Sequence, residues 1–236
     1  LGNTFAWISN NVSTVAERDV FPQLQTSDEL TNVSACFTTC YFTAWKAPDG
    51  SRTLFPWSNT SKVTNWNNAL SNNRFTEIGT LDTQSATDMT SMFKDCQELL
   101  ALPALDVRKV TTFQNLCQSC GKLTSLPAVG TNFKFDAADI VVGGMFYNCA
   151  ALTSIPNYDW SNVKSMVSTF QYSGVTSLPT FVSLANCNNF SAACAVTDLT
   201  EMPDWDISSA TMLNDIFSNC SKLASTRSTW KFDNVG

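Results

Sequence analysis

The side chains best suited to chemistry in this 236-residue sequence are nine cysteines and a set of aspartates that returns at regular intervals. Cys117-Gln-Ser-Cys120 has the spacing of a redox or zinc-binding pair. Histidine is absent from the whole sequence, which removes the commonest general base, the commonest zinc ligand and every Ser-His or Cys-His nucleophile pairing. With no second pair and no histidine, Cys117 and Cys120 do not read as a zinc site, and no metal is expected. Cys36 with Cys40, and Cys187 with Cys194, are the pairs best spaced for local disulfides, although an odd total leaves one thiol unpaired in an oxidising compartment. A hydrolase would have to work with carboxylates alone. Asp204 with Asp206, or Asp159 with Asp206, are candidates for the two acids of glycoside hydrolysis, which sit roughly 5 to 9 Å apart. Those aspartates recur with the rest of a repeat, however, and neither G-x-G-x-x-G nor a phosphate-binding loop accompanies them. The expectation is a non-enzymatic chain without a cofactor.

Composition narrows the partners. A net charge of −6, with 14 Lys plus Arg against 20 Asp plus Glu and no basic run, argues against nucleic acid, because phosphate binding needs clustered cations. No run of eighteen apolar residues occurs and the first thirty residues lack an apolar signal core, so no membrane span is expected. The 44% of hydrophobic residues suffices for a continuous core.

The elements that must position these residues recur. MFKDCQELLALP, from Met92 to Pro103, returns as MFYNCAALTSIP, from Met145 to Pro156. Pro103, Pro127, Pro156, Pro179 and Pro203 end successive Leu-x-x-Leu-Pro-like runs at intervals of 24, 29, 23 and 24, and a looser copy ends at Pro48. Upstream of each proline, apolar residues at i, i+3, i+6, i+7 and i+10 (Val110, Phe113, Leu116, Cys117, Cys120) predict a helix of about three turns. Ser61, Ser85, Ser161 and Ser209 stand where such helices would be capped. Leu99 and Leu102, Leu123 and Leu126, Leu152 and Ile155, Leu199 and Met202 predict a short strand that proline ends.

Eight copies emerge, with a column of small residues at Cys40, Asn73, Cys96, Cys120, Cys149, Ser173, Val196 and Cys220. A column of this kind suits buried structural thiols. A helix-plus-strand unit cannot bury its own apolar face, so neighbours must stack. The expected fold is α/β: a leucine-rich-repeat-type solenoid of about eight units of about 24 residues over 30–236, with a parallel sheet. Residues 1–29 carry Phe5, Trp7, Ile8, Val12 and Val15 at near-helical spacing and read as an N-terminal cap or docking segment.

Two residues past each proline runs a further apolar column, Leu105, Val129, Tyr158, Phe181 and Trp205, with Asp106, Asp159 and Asp206 beside it. The aromatics could form a second core stripe while the aspartates cap turns. Alternatively Tyr158, Asp159, Trp160, Trp205 and Asp206 form a strip that stacks on sugars or takes a partner's anchor residue, making them the candidate ligand-binding residues. Repeated carboxylates also suit Ca²⁺ in principle, but a calcium site needs six or more oxygens and no EF-hand loop is present. Asn11, Asn32, Asn59, Asn189 and Asn219 begin N-x-Ser/Thr sequons and are candidate glycosylation sites, at the number chance alone yields for 21 Asn and 54 Ser plus Thr.

The composite Val-x-x-Met-x-x-Met-Phe-x-x-Cys-x-x-Leu-x-x-Leu-Pro, clearest in SATDMTSMFKDCQELLALPALD and IPNYDWSNVKSMVSTF, resembles the BspA-like leucine-rich repeats, the bacterial surface protein 26-residue repeat. The resemblance covers about 61 to 236, with a weaker copy from about 30. It departs in the 29-residue unit and at Arg227, near the last proline position. It implies a leucine-rich solenoid on surface and secreted proteins, used as a non-catalytic adhesion or recognition module, and it supplies no catalytic residues. The function expected is surface recognition or adhesion, binding glycan or protein partners through a rigid repeat surface. The alternative is a structural subunit of a fibre, virion or extracellular matrix, assembling with neighbouring subunits. Either role places the chain outside the cell, on a cell surface or on a virion.

Overall fold

The computed structural model describes residues 20–47, 49–179 and 184–224. Residues 1–19 of the expected cap, together with Asn11, Pro48, Phe181 and Arg227, lie outside the described residues. Among the described residues there is no helix, and five short strands are the only regular elements. They are β1 (Val20–Pro22), β2 (Ala44–Lys46), β3 (Arg52–Thr53), β4 (Ile140–Val141) and β5 (Val163–Ser165). β1 runs parallel to β2, with Val20 opposite Ala44, and β2 runs antiparallel to β3. β4 and β5 form a second, two-stranded parallel sheet.

This corrects the expected α/β leucine-rich-repeat-type solenoid of helix-strand units. The chain is mostly irregular backbone with a small amount of parallel sheet. Where three-turn helices were predicted, it makes runs of tight turns. The copy around Phe113 shows why. The amides of Leu116, Gln118 and Cys120 donate to the carbonyls of Phe113, Asn115 and Cys117, three residues back. Between them, the amides of Phe113, Asn115, Cys117 and Ser119 donate across to Val141, Gly143, Met145 and Tyr147 in the next copy, at 2.8 to 2.9 Å. A helix would return each amide to residue i−4 of its own segment. Here alternate amides leave the copy altogether. Apolar residues at i and i+3 share a side in both geometries, so the spacing that predicted a helix does not separate the two.

Left-handed residues make these turns possible. Positive φ occurs in eight pairs four residues apart: 35/39, 68/72, 91/95, 115/119, 144/148, 168/172, 192/196 and 215/219. Asn, Asp, Ser and Gly fill most of them, residue types that enter this region at least cost. Parallel bridges join successive copies in a ladder through Asn32, Asn65, Asp88, Thr112, Val141, Ser165, Asn189 and Met212. Four of these start each run with an Asx turn: the side-chain oxygens of Asn32, Asn65, Asp88 and Asn189 accept the amide two residues on, at 2.8 to 3.0 Å. Serines expected to cap helices serve the same network. Ser61 and Ser161 give their amides to Asn59 and Asp159, and the Ser85 hydroxyl donates to the Ser61 carbonyl.

The predicted strands are single bridges, Ala101 with Ser125 and Ser154 with Ser177. Their leucines face inward all the same. Leu99, Leu123, Leu152 and Leu199 are fully buried in one apolar cluster that runs from Val33 to Ala210. Burying each side chain contributes about 1.5 to 3 kcal/mol. At the last described turn the cluster thins: Leu213, Ile216, Phe217 and Leu223 are only partly buried, and Met212 is 44% exposed.

Asn148, exposed at φ 55°, separates turn from helix by experiment. Asn148→Ala is expected to lower stability by about 1 kcal/mol and Asn148→Gly to leave it within a few tenths, measured by urea denaturation. A helix would rank the two the other way round.

Candidate functional site

The aromatic strip is not a surface. Tyr158, Trp160 and Trp205 are 3%, 0% and 4% exposed. Trp160 packs against Phe135 (centroids 4.9 Å) and Phe170 (6.1 Å), Tyr158 against Phe133 (5.2 Å), and Trp205 against Phe190 (6.2 Å). The polar tips of Tyr158 and Trp205 reach back one copy. Tyr158 Oη donates to the Pro127 carbonyl and Trp205 Nε1 to the Pro179 carbonyl, so a proline that ends one copy is the acceptor for the aromatic of the next. As contacts for a ligand these three residues are corrected to core. Asp159 and Asp206 are exposed beside them, each accepting the amide two residues on, from Ser161 (2.9 Å) and Ser208 (3.0 Å). Hydrogen bonds from the Ser208 side chain and amide hold the Asp206 carboxyl below the usual carboxylate range. A glycosidase acid needs the opposite shift.

The cysteines serve the framework. All nine are free thiols, Cys36, Cys40, Cys187 and Cys194 among them. In the small-residue column, Cys96 Sγ donates to the Leu70 carbonyl (3.2 Å), Cys120 to Phe93 (3.1 Å), Cys149 to Cys117 (3.1 Å) and Cys220 to Cys194 (3.0 Å). The acceptor lies each time in the preceding copy, three residues before its own column residue. Ser173 and Thr197 donate instead within their own copy, to Phe170 and Cys194. The seventh copy's column residue is thus Thr197. Val196, placed there by the proline anchor, has φ 57° and belongs to the left-handed column one residue earlier. Burial pushes the thiols up: Cys36 to about 11, Cys40 and Cys187 to about 12, and Cys96, Cys117, Cys120, Cys149 and Cys194 upward as well. Three of the sequon asparagines, Asn32, Asn59 and Asn189, use their side-chain oxygen to accept the amide of the sequon serine itself, while Asn219 is exposed on a turn.

Clefts also open to solvent. One cleft of about 550 Å³ is lined by Tyr41, Asn72, Asn73, Arg74, Asp95, Gln97 and Glu98. Its floor is set by three left-handed residues, Tyr41, Asn72 and Asp95 (φ 57°, 55° and 59°). Asn73 locks it from beneath, giving its amide hydrogens to the carbonyls of Phe37, Leu70 and Ser71 and accepting from the Phe42 amide. The Arg74 guanidinium lies over the Tyr41 ring, 5.1 Å from its centroid. Of its lining residues only Asn73 is among those singled out by type and spacing, yet the order of residues carries a signal for the cleft. Tyr41, Arg74 and Gln97 each follow the small-residue column in three successive copies, whereas Gly121, Ala150 and Gly174 fill that position in the next three. A second cleft, of about 740 Å³, runs past Asp82, Thr83, Asp106, Arg108 and Asn132.

A family model described as "Mycoplasma protein of unknown function, DUF285" matches residues 29–130, 103–181 and 134–236. The chain belongs to the DUF285 family. The three DUF285 matches overlap, as a model several repeats long must when it can be laid on a repeated chain at more than one register. No curated protein and no solved structure matches the chain. Among the described residues no helix is long and apolar enough to cross a membrane.

Three outcomes follow for these groups. Trp160→Ala is expected to cost about 3 to 5 kcal/mol in urea denaturation, the penalty of a large core cavity. The eight raised thiols hold their protons more tightly folded than unfolded. The stability they contribute is therefore complete below the unfolded value of about 8.5 and is lost as pH climbs toward the folded values, so urea midpoints should fall at rising alkaline pH. Ellman's reagent should reach half-exposed Cys220 first and the others only on unfolding.

Proposed function

We propose that this DUF285 chain is a non-enzymatic recognition module displayed on a surface, outside the cell or on a virion, that binds protein or glycan partners as the BspA-like repeats it resembles are expected to do. One observation carries the reading. Exposed threonines form ranks across successive copies: the hydroxyls of Thr64, Thr87 and Thr111 donate to the carbonyls of Thr31, Thr64 and Thr87, and those of Thr176 and Thr200 to Thr153 and Thr176. Side chains locked to the backbone lose little entropy when a partner lands on them, which favours display over chemistry. The lowered Asp206 carboxyl and the Asx-turn duty of Asp159 speak against a hydrolase.

A structural subunit is the second reading.

The test is binding of the purified chain to intact cells, matrix proteins and a glycan array. Micromolar or tighter binding that a Thr87→Lys, Thr111→Lys double variant weakens about tenfold, at nearly unchanged thermal midpoint, is the expected result. A chain that binds none of these and elutes as a large assembly in size-exclusion chromatography overturns recognition in favour of the structural role.

A further inference from the structure

We infer that the cleft between Tyr41, Arg74 and Asp95 is a binding site for a neutral, hydroxyl-rich saccharide, an assignment that rests on the recognition reading above. Its volume of about 550 Å³ falls in the range of small-ligand sites, roughly 300 to 1,000 Å³. Its lining is polar, unlike the apolar walls that suit drug-like ligands, so the ligand must bring hydrogen-bonding groups of its own.

The charges decide which. Arg74 is the only cation lining the cleft among the described residues, and two carboxylates, Asp95 and Glu98, stand with it. Glu98 already pairs with Lys122 at 2.6 Å. Arg74 makes no ion pair with either acid among the described pairs, and Asp95 and Gln97 have no side-chain hydrogen bond to another described residue. An anionic ligand drawn to Arg74 meets Asp95. A cationic ligand drawn to Asp95 meets Arg74. A sugar hydroxyl satisfies both at once, accepting from the guanidinium and donating to the carboxylate, and each such bond is charge-assisted. Asn72 and Gln97 add amides that donate and accept.

The site is also built to hold still. Stacking over Tyr41 aims the guanidinium while leaving its in-plane N–H groups free. Tyr41 is a bulky residue at positive φ, held there although left-handed backbone suits it poorly. The Asn73 anchor fixes the backbone on either side of the cleft, with the Arg74 amide donating to the Phe42 carbonyl at 3.0 Å. Strained positions that the surroundings over-determine are characteristic of ligand sites.

The experiment uses a printed array of neutral oligosaccharides and their sialylated or uronic-acid counterparts, followed by calorimetry with the strongest neutral binder. Wild-type chain is expected to prefer neutral members. Arg74→Ala and Asp95→Asn, the latter tolerant of left-handed backbone, should each weaken that binder about 10- to 100-fold. Circular dichroism and thermal midpoint should stay as in wild type, while Lys164→Ala, outside the cleft lining, should leave affinity unchanged. Preference for the acidic members, or a neutral binder whose affinity survives both cleft variants, overturns this assignment and leaves surface recognition standing. Binding to matrix proteins or cells with no sugar bound overturns the saccharide alone. Binding to nothing overturns both.

Discussion

Everything in this molecule depends on where alternate main-chain amides go. In each copy one set closes turns upon itself and the other crosses to the carbonyls of the next copy, as Phe113, Asn115, Cys117 and Ser119 do to Val141, Gly143, Met145 and Tyr147. A buried amide left without a partner costs about 1 to 3 kcal/mol. A copy separated from its neighbour would strand several of them, so no copy is satisfied alone. This also explains why the backbone accepts left-handed residues twice per copy: the distortion is local and modest, and the hydrogen bonds it permits extend along the whole ladder.

The columns follow from that constraint. A carbonyl three residues before the small-residue column already accepts its own copy's turn amide, as Phe93 accepts from Cys96, and its second lone pair faces the next copy. A small side chain with a donor is what fits there. Cysteine supplies a weak donor at almost no polar cost, and Ser173 and Thr197 fill the same slot with hydroxyls that turn back on their own copy. Asn73, with two amide hydrogens, serves both directions at once. The aromatics answer a similar need, since Tyr158 and Trp205 fill the core with their rings and bring a donor to the proline carbonyl of the preceding copy.

Residues that look chemical are therefore largely occupied by the framework. The exposed threonine ranks are tied to it too, hydroxyl to carbonyl, and the position just after the small-residue column is where the copies differ. At that position, glycine or alanine stands in three successive copies. Tyrosine, arginine and glutamine at the first three copies enclose a cleft instead. Repetition supplies the scaffold, and departure from repetition shapes the cleft.

Recurrence at about 24 residues, the inward leucines and the small-residue column could be read from the chain, because each leaves a one-dimensional mark in residue type and interval. The route of the backbone could not. Apolar residues three apart suit a helix and a run of turns equally, and the asparagines, aspartates and serines that mark the left-handed positions also serve as helix caps elsewhere. The same ambiguity hid the site: nothing in the order of residues says that Trp160 points inward or that Tyr41, Arg74 and Gln97 become neighbours. The amino-acid sequence by itself determined the period and which side chains repeat with it. Only the tertiary structure decided between intrasegment and cross-copy hydrogen bonding, and so which side chains face solvent, because that choice depends on carbonyls some 22 to 34 residues away along the chain.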